Sequence, residues 1–218
     1  LKQDALSAEF QAVEMPSLTL DATLKNTIEY SMSHNVAAVK RGTKHPDEYI
    51  LMMAHWDHLG MNDDQSGDNI YNGAVDNATG TAGLLELANY FSSIESERSL
   101  LFLAVTAEES GLLGSQYFAE YPPIDLSNVV AGYNFDAVLP MGKTKDMIVV
   151  GYGASQLEDI LKKELNKIDK YITPDPEPEK GFFYRSYHIS LAKKGVPMLY
   201  ADGGIDKVDG GRAAGKAI

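Results

Sequence analysis

The chain has no cysteine among its 218 residues, which excludes a disulfide framework and any thiolate metal site. Basic side chains are scarce as well. Nineteen lysines and arginines stand against 31 aspartates and glutamates, a formal charge of −12. That balance argues against a nucleic-acid backbone or an anionic membrane surface as partner. No apolar run approaches the roughly 20 residues of a bilayer-spanning helix. The opening LKQDALSAEF carries no signal-peptide pattern. Tryptophan occurs once and histidine five times. The remainder, 44% hydrophobic and 23% charged, is ordinary for a globular domain, and the length suits one well-buried core.

Strand-like and helix-like segments alternate along the sequence. TLKNTIEYSMSHNVAAVKRG has period-2 alternation in places and predicts two edge-type strands. TKHPDE predicts a turn, and YILMMAHWD a buried central strand. TGTAGLLELANYFSSIESER places Leu84, Leu85, Leu87, Ala88 and Phe91 at helical spacing. SLLFLAVTA reads as a second buried strand and GLLGSQYFAEY as a helix. NVVAGYNFDAV, MIVVGYG and GVPMLYADGG read as strands, SQLEDILKKELNKI as a helix, and TPDPEPEKGFF as a surface loop. The fold class implied is α/β: a mixed, largely parallel twisted sheet flanked by helices on both faces.

The metal-capable residues are not scattered over this pattern. His55, Asp57 and His58 follow the strand YILMMA. Glu108 and Glu109 follow SLLFLAVTA, and Asp136 ends NVVAGYNF. Asp76 lies in NGAVDNATG, just before the first amphipathic helix. Taken singly, each has a plain structural reading: a hydrogen-bonded histidine, acidic charge at a helix start, an Asx turn. Their joint placement at the carboxyl edge of a parallel sheet, where loops converge on one crevice, reverses that preference. Imidazole and carboxylate without sulfur suit Zn²⁺, with Co²⁺ or Mn²⁺ as alternatives. Two Zn²⁺ bring four positive charges, which Asp76, Glu109, Asp136 and one hydroxide would cancel. His55 and His188, one per ion, would complete the set without adding charge. Glu108 is free to shuttle a proton, and Asp57 to orient His55. His34 and His45 fall in a strand end and a turn and receive no role, and His58 is expected only to hydrogen-bond near the site.

These residues lie in AHWDHLG, GDNIYNGAVDNATGTAGLLELA, TAEESGLLGS, NFD and RSYHISLAKKGVP. Together the blocks resemble the clan MH di-zinc exopeptidases. The bacterial leucyl aminopeptidase and aminopeptidase Y group is nearest, and glutamate carboxypeptidase more distant. The resemblance runs over roughly residues 48 to 202, in the family's order. It implies the zinc-dependent exopeptidase, or phosphorylase/hydrolase-like, fold and an aminopeptidase acting on peptides with a free N-terminus. It further implies that His55 and Asp136 bind one zinc and Glu109 and His188 the other, with Asp76 bridging. Glu108 would be the general base and acid, and the Asp76–Asn77 bond would be cis. Tyr187 departs from the pattern, since the family usually has aspartate before the last histidine.

Residues 1–218 are expected to be a single peptidase catalytic domain. The abrupt ends lead us to expect a fragment of a longer protein. Relatives are commonly exported, so a secreted or periplasmic location is expected. The alternatives are a metallo-carboxypeptidase, for which Arg185 is the one obvious carboxylate-gripping residue, a glutaminyl cyclase, or a peptidase-like binding domain without activity.

Overall fold

The computed structural model describes residues 9–12, 14–62, 66–138 and 142–217. The chain divides into two compact units, Leu1–Met32 and Ser33–Ile218. The described residues of the first carry no helix or strand; a turn there is closed by the Leu18 N–H donating to the Met15 carbonyl at 3.0 Å. Of the two strands expected in TLKNTIEYSMSHNVAAVKRG, only β1 (Val36–Lys40) forms. Alternation supplies two faces, but a strand also needs a neighbour for its N–H and C=O groups. Leu20, Leu24, Ile28 and Tyr30 are exposed instead.

In the second unit the elements run β1, β2 (His45–His55), β3 (Gly60–Met61), β4 (Ile70–Tyr71), α1 (Ala78–Ser92), β5 (Arg98–Val105), α2 (Leu113–Glu120), β6 (Val129–Phe135), β7 (Asp146–Val150), α3 (Leu157–Asn166), β8 (Tyr171–Pro174), α4 (Ile189–Ala192), β9 (Met198–Gly203) and α5 (Gly211–Lys216). The large sheet has the order β1-β5-β2-β6-β9-β7-β8. Its middle strands β5, β2, β6 and β9 are parallel. β1 pairs antiparallel to β5 at one edge, and β7 antiparallel to β9 near the other. This is the mixed, largely parallel sheet that the sequence predicts.

Side-chain alternation along β2 divides the core. Leu51 and Met53 join Leu101, Leu103 and Val105 of β5 against Phe118 of α2 and Leu191 of α4. Met52 and Ala54 join Leu100 and Phe102 against Leu84, Leu87 and Phe91 of α1. Val149, Leu199 and Ala201 pack under Leu157 and Leu161 of α3, on the same side as α1. Each such buried aliphatic contributes roughly 1.5–3 kcal/mol of transfer free energy, so the central strands are the rigid frame on which the loops at their ends are held.

Four expectations need correcting. β2 begins at His45, inside the expected turn, with a register shift between His45 and Tyr49. α1 stops at Ser92, before the remaining SIESER of the expected helix, and Leu85 on its expected apolar stripe is exposed. TPDPEPEKGFF is not all loop, because Thr173 and Pro174 end β8 on the sheet edge, where a proline costs no ladder hydrogen bond. α5, built from GRAAGK, had no apolar periodicity to announce it.

Candidate metal centre

The parallel strands end together. β2 stops at His55, β5 leads into Thr106–Glu109, and β6 leads into Asp136. Ala107 (φ 52°) and Ala137 (φ 48°), in the left-handed region, flank Glu108 and Asp136 and turn the chain sharply where the strands finish. Such a conformation costs a non-glycine residue of order 1 kcal/mol or more, and it is tolerated where the surroundings fix it. Asp76 arrives from the loop before α1, and its peptide bond to Asn77 is cis.

Asn77, which is buried, ties that loop to the sheet. Its Oδ1 accepts from the N–H groups of Gly80 and Ala137, each at 3.1 Å, and its Nδ2 donates to the Phe135 carbonyl at 2.8 Å. Thr81 Oγ1 donates to the His55 carbonyl at 2.9 Å. A Cβ on Gly80 would lie 2.4 Å from the Phe135 carbonyl oxygen, so only glycine lets α1 approach β6 this closely. The first turn of α1 is thereby pinned to the ends of β2 and β6, and Asp76 is held over His55.

Two groups of donor atoms result, and they share Asp76: His55, Asp76 and Asp136, and His58, Asp76 and Glu109. In the first, His55 Nε2 lies 2.9 Å from Asp76 Oδ1 and 3.4 Å from Asp136 Oδ1. In the second, His58 Nδ1 and Glu109 Oε1 approach to 2.7 Å, yet both atoms are buried and their angles fit no hydrogen bond. Two lone-pair atoms converging in that way fit a shared cation better than each other. The all-nitrogen-and-oxygen donor set suits zinc in both groups.

The local field is strongly negative. Burial opposes the His55 imidazolium, but hydrogen bonds to Asp136 and Asp57, with the charges of Asp136 and Glu108, outweigh it and raise its pKa to about 10. The field that retains this proton also favours a metal cation in its place. Burial lifts Glu108 to about 7; the His55 charge opposes the rise, while Asp136, Glu109 and Asp76 add to it. A carboxyl group poised near neutrality can both accept and donate a proton. Asp57 is held below the usual carboxylate range despite its burial, because His55 and the backbone N–H groups of Glu108 and Glu109 bind its charged form. Its Oδ2 accepts from the Glu109 N–H at 3.3 Å and its Oδ1 lies 3.6 Å from His55 Nδ1. Asp57 thus couples the orientation of His55 to the 108–109 turn.

Of the residues singled out in the sequence, His55, Asp57, Asp76, Glu108, Glu109 and Asp136 meet at this edge. Asp76, Glu108, Glu109 and Asp136 share a cavity of about 270 Å³ with Phe182, Arg185, Ser186 and Tyr200. His188 belongs to neither donor group. It is fully buried between the rings of Phe183 and Tyr200, with centroids at 4.9 and 5.2 Å, and neither ring nitrogen has a hydrogen-bond partner among the described residues. The structure brings His58 to Glu109 in its place. The signal for His58 was its position three residues after His55, just past the end of the same strand.

Three further contributors carry no metal-ligand character, and the sequence assigned them no supporting contacts. Asn77 is the lock described above. Ser186 Oγ donates to Asp136 Oδ2 at 2.5 Å and accepts from Asn134 Nδ2 at 2.8 Å. Tyr187 packs edge-on against His55, centroids 5.4 Å apart. Its hydroxyl donates to the Phe135 carbonyl and lies 3.3 Å from that of Met53, so the residue departing from the expected pattern joins β6 to β2 beneath the site.

The chain is similar to known zinc metalloproteases and aminopeptidases. Over 104 residues the chain is 38% identical to a "Probable zinc metalloprotease" of Pyrenophora teres f. teres, a match covering 47% of this chain and 22% of that protein. Over 122 residues it is 32% identical to "Aminopeptidase YwaD" of Bacillus subtilis, covering 54% of this chain and 25% of the relative. The fold matches the solved aminopeptidase from Aneurinibacillus sp. strain AM-1 with a TM-score of 0.61 and 23% identity, over 79% of this chain and 39% of that one. These matches span about a quarter of the curated relatives' length and about two fifths of the solved structure. Residues 35–214, which include every donor described above, match the model of Peptidase family M28, and the chain belongs to that family.

Proposed function

We propose that this chain carries the catalytic centre of a zinc-dependent aminopeptidase. The observation that supports it most directly is the pair of donor groups sharing Asp76, with Glu108 beside them and poised near neutral pH. His55, Asp76 and Asp136 would hold one zinc. Asp76 and Glu109 would hold a second, with His58 as the third donor that the chain itself places there. Zinc at such sites supplies Lewis-acid polarisation of a peptide carbonyl and acidifies water. Glu108 takes the proton of the attacking water and delivers it to the departing amine. Asp57 and Tyr187 fix the His55 ring from either side, and Ser186 fixes Asp136. Surplus carboxylate at the crevice favours a substrate's free α-ammonium group, which is the chemical basis for exopeptidase action at the N-terminus.

The test is hydrolysis of N-terminally free and N-acetylated aminoacyl amides, first with chelator and then with zinc restored. Turnover of free-amine substrates alone, lost with chelator and regained with zinc, is the expected result. Equal turnover of acetylated substrates would overturn the aminopeptidase reading. Cyclisation of an N-terminal glutamine without peptide cleavage would favour the glutaminyl cyclase alternative. A metal titration that saturates at one zinc per chain would overturn the two-ion site.

A further inference from the structure

Arg185 is the one cation lining a cavity whose other ionisable walls include Asp76, Glu108, Glu109 and Asp136. It is exposed, yet it forms no ion pair with any of them and donates no side-chain hydrogen bond among the described residues. Its guanidinium lies 5.5 Å from the centroid of the Phe182 ring. An aromatic face orients a guanidinium while leaving its in-plane N–H donors unspent. Lys180 approaches the same ring at 5.9 Å, but it is paired with Glu177 at 2.7 Å. A flexible cation beside four carboxylates would ordinarily join one of them. Arg185 lies against the ring instead, and its in-plane donors have no partner among the described residues.

We infer that Arg185, braced by Phe182, is a specificity-determining residue that binds a carboxylate of the substrate. The substrate class favoured is short peptides, dipeptides above all, whose free carboxylate reaches this cavity while the amine is held by the acidic groups. The inference rests on the aminopeptidase reading and narrows it. The chemistry is complementary at both ends: a fork of N–H donors matches a carboxylate bidentately, and a crevice of carboxylates matches an ammonium. A cavity of about 270 Å³ suits a ligand of one or two residues rather than a long peptide.

The experiment compares leucylglycine with leucylglycinamide, which differ only in the terminal charge. Binding to the zinc-loaded Glu108→Gln chain, measured by calorimetry, keeps both ligands intact. Steady-state hydrolysis by the unaltered chain accompanies it. The acid is expected to bind on the order of tenfold tighter than the amide, as for a charge-assisted bidentate pair in a half-open site. Arg185→Met should abolish that preference, so that acid and amide bind alike. Arg185→Lys should restore only part of it, because a point charge lacks the fork. Equal binding of acid and amide, or a preference that survives Arg185→Met, would overturn the inference. Hydrolysis of the amide in the same samples would then leave the aminopeptidase reading standing. Neither binding nor hydrolysis of either compound by zinc-loaded protein would overturn both.

Discussion

His55 and His188 are both fully buried, yet their chemistry is opposite. Around His55 the neighbours are carboxylates at 2.9 to 3.6 Å, and the imidazolium is favoured, with a pKa raised to about 10. Around His188 they are the rings of Phe183 and Tyr200. Burial lowers its pKa to about 4, and the charge of Asp136 offsets this only partly. Burial alone therefore says nothing about function, since it penalises charge equally in both places. What separates the two histidines is whether the fold delivers acceptors to the ring nitrogens. The strand ends deliver them to His55, and the segment before α4 gives His188 aromatic faces instead.

The comparison is sharpened most by replacing Glu108, the proposed proton carrier. Glu108→Gln should lower turnover on the order of 10²- to 10⁴-fold while zinc content measured by atomic absorption stays unchanged. Loss of zinc along with activity would show Glu108 to be a ligand. Next in size is the contrast between the histidines themselves. His55→Ala should lose at least one zinc per chain in a competition titration, whereas His188→Phe should keep full stoichiometry. A zinc lost from His188→Phe would break the distinction drawn here and return His188 to the ligand set.

Acid and alkali should destabilise the metal-free protein for different reasons. His55 binds its proton more tightly folded than unfolded, where a histidine has a pKa of about 6.5. Its contribution is therefore complete below pH 6.5 and lost as pH rises towards about 10. His188 prefers to be neutral when folded. Its stabilisation is present above pH 6.5 and lost as pH falls towards about 4. Urea midpoints measured between pH 4 and 10 should thus fall on both sides of a maximum near neutrality. His188→Phe should flatten the acid limb alone. A midpoint that rises from pH 7 to 9 in metal-free protein would contradict the assignment for His55.

Much of this was legible because apolar runs and polar punctuation coincide. YILMMA, SLLFLAV and NVVAGYNF read as buried strands, and each is followed within three residues by a metal-capable side chain. The placement of His55, Glu109 and Asp136 at one sheet edge follows from that without coordinates. Residues 23–32 show where the method stops: Leu24, Ile28 and Tyr30 have the spacing of a strand but remain exposed, since alternation encodes faces and not partners. The last histidine was less legible for a related reason. His58 and His188 are both plausible donors by residue type, and only the turn after β2 decides that Glu109 meets the former. Asn77 and Ser186 act through hydrogen bonds to backbone or carboxylate across 50 residues or more of sequence, which no local pattern records.

The smallest expected effect tests how the two regions are joined. Tyr187 immediately precedes His188 in the chain, its ring packs edge-on against His55, and its hydroxyl ties β6 to β2, the strands that present Asp136 and His55. Burial raises its pKa well above the ordinary tyrosine value, with Asp136 adding to the effect, so the hydroxyl remains a donor at every pH the fold survives. Tyr187→Phe keeps the ring and removes only that donor. It should cost about 1–2 kcal/mol of stability, since the Phe135 carbonyl loses a buried partner. If the hydroxyl merely stabilises the core, zinc affinity will be unchanged once the folded fraction is accounted for. If it also holds the strand ends in register, zinc dissociation from folded protein should quicken severalfold. Stopped-flow transfer of zinc to a chromogenic chelator separates the two, and an unchanged rate would confine Tyr187 to packing.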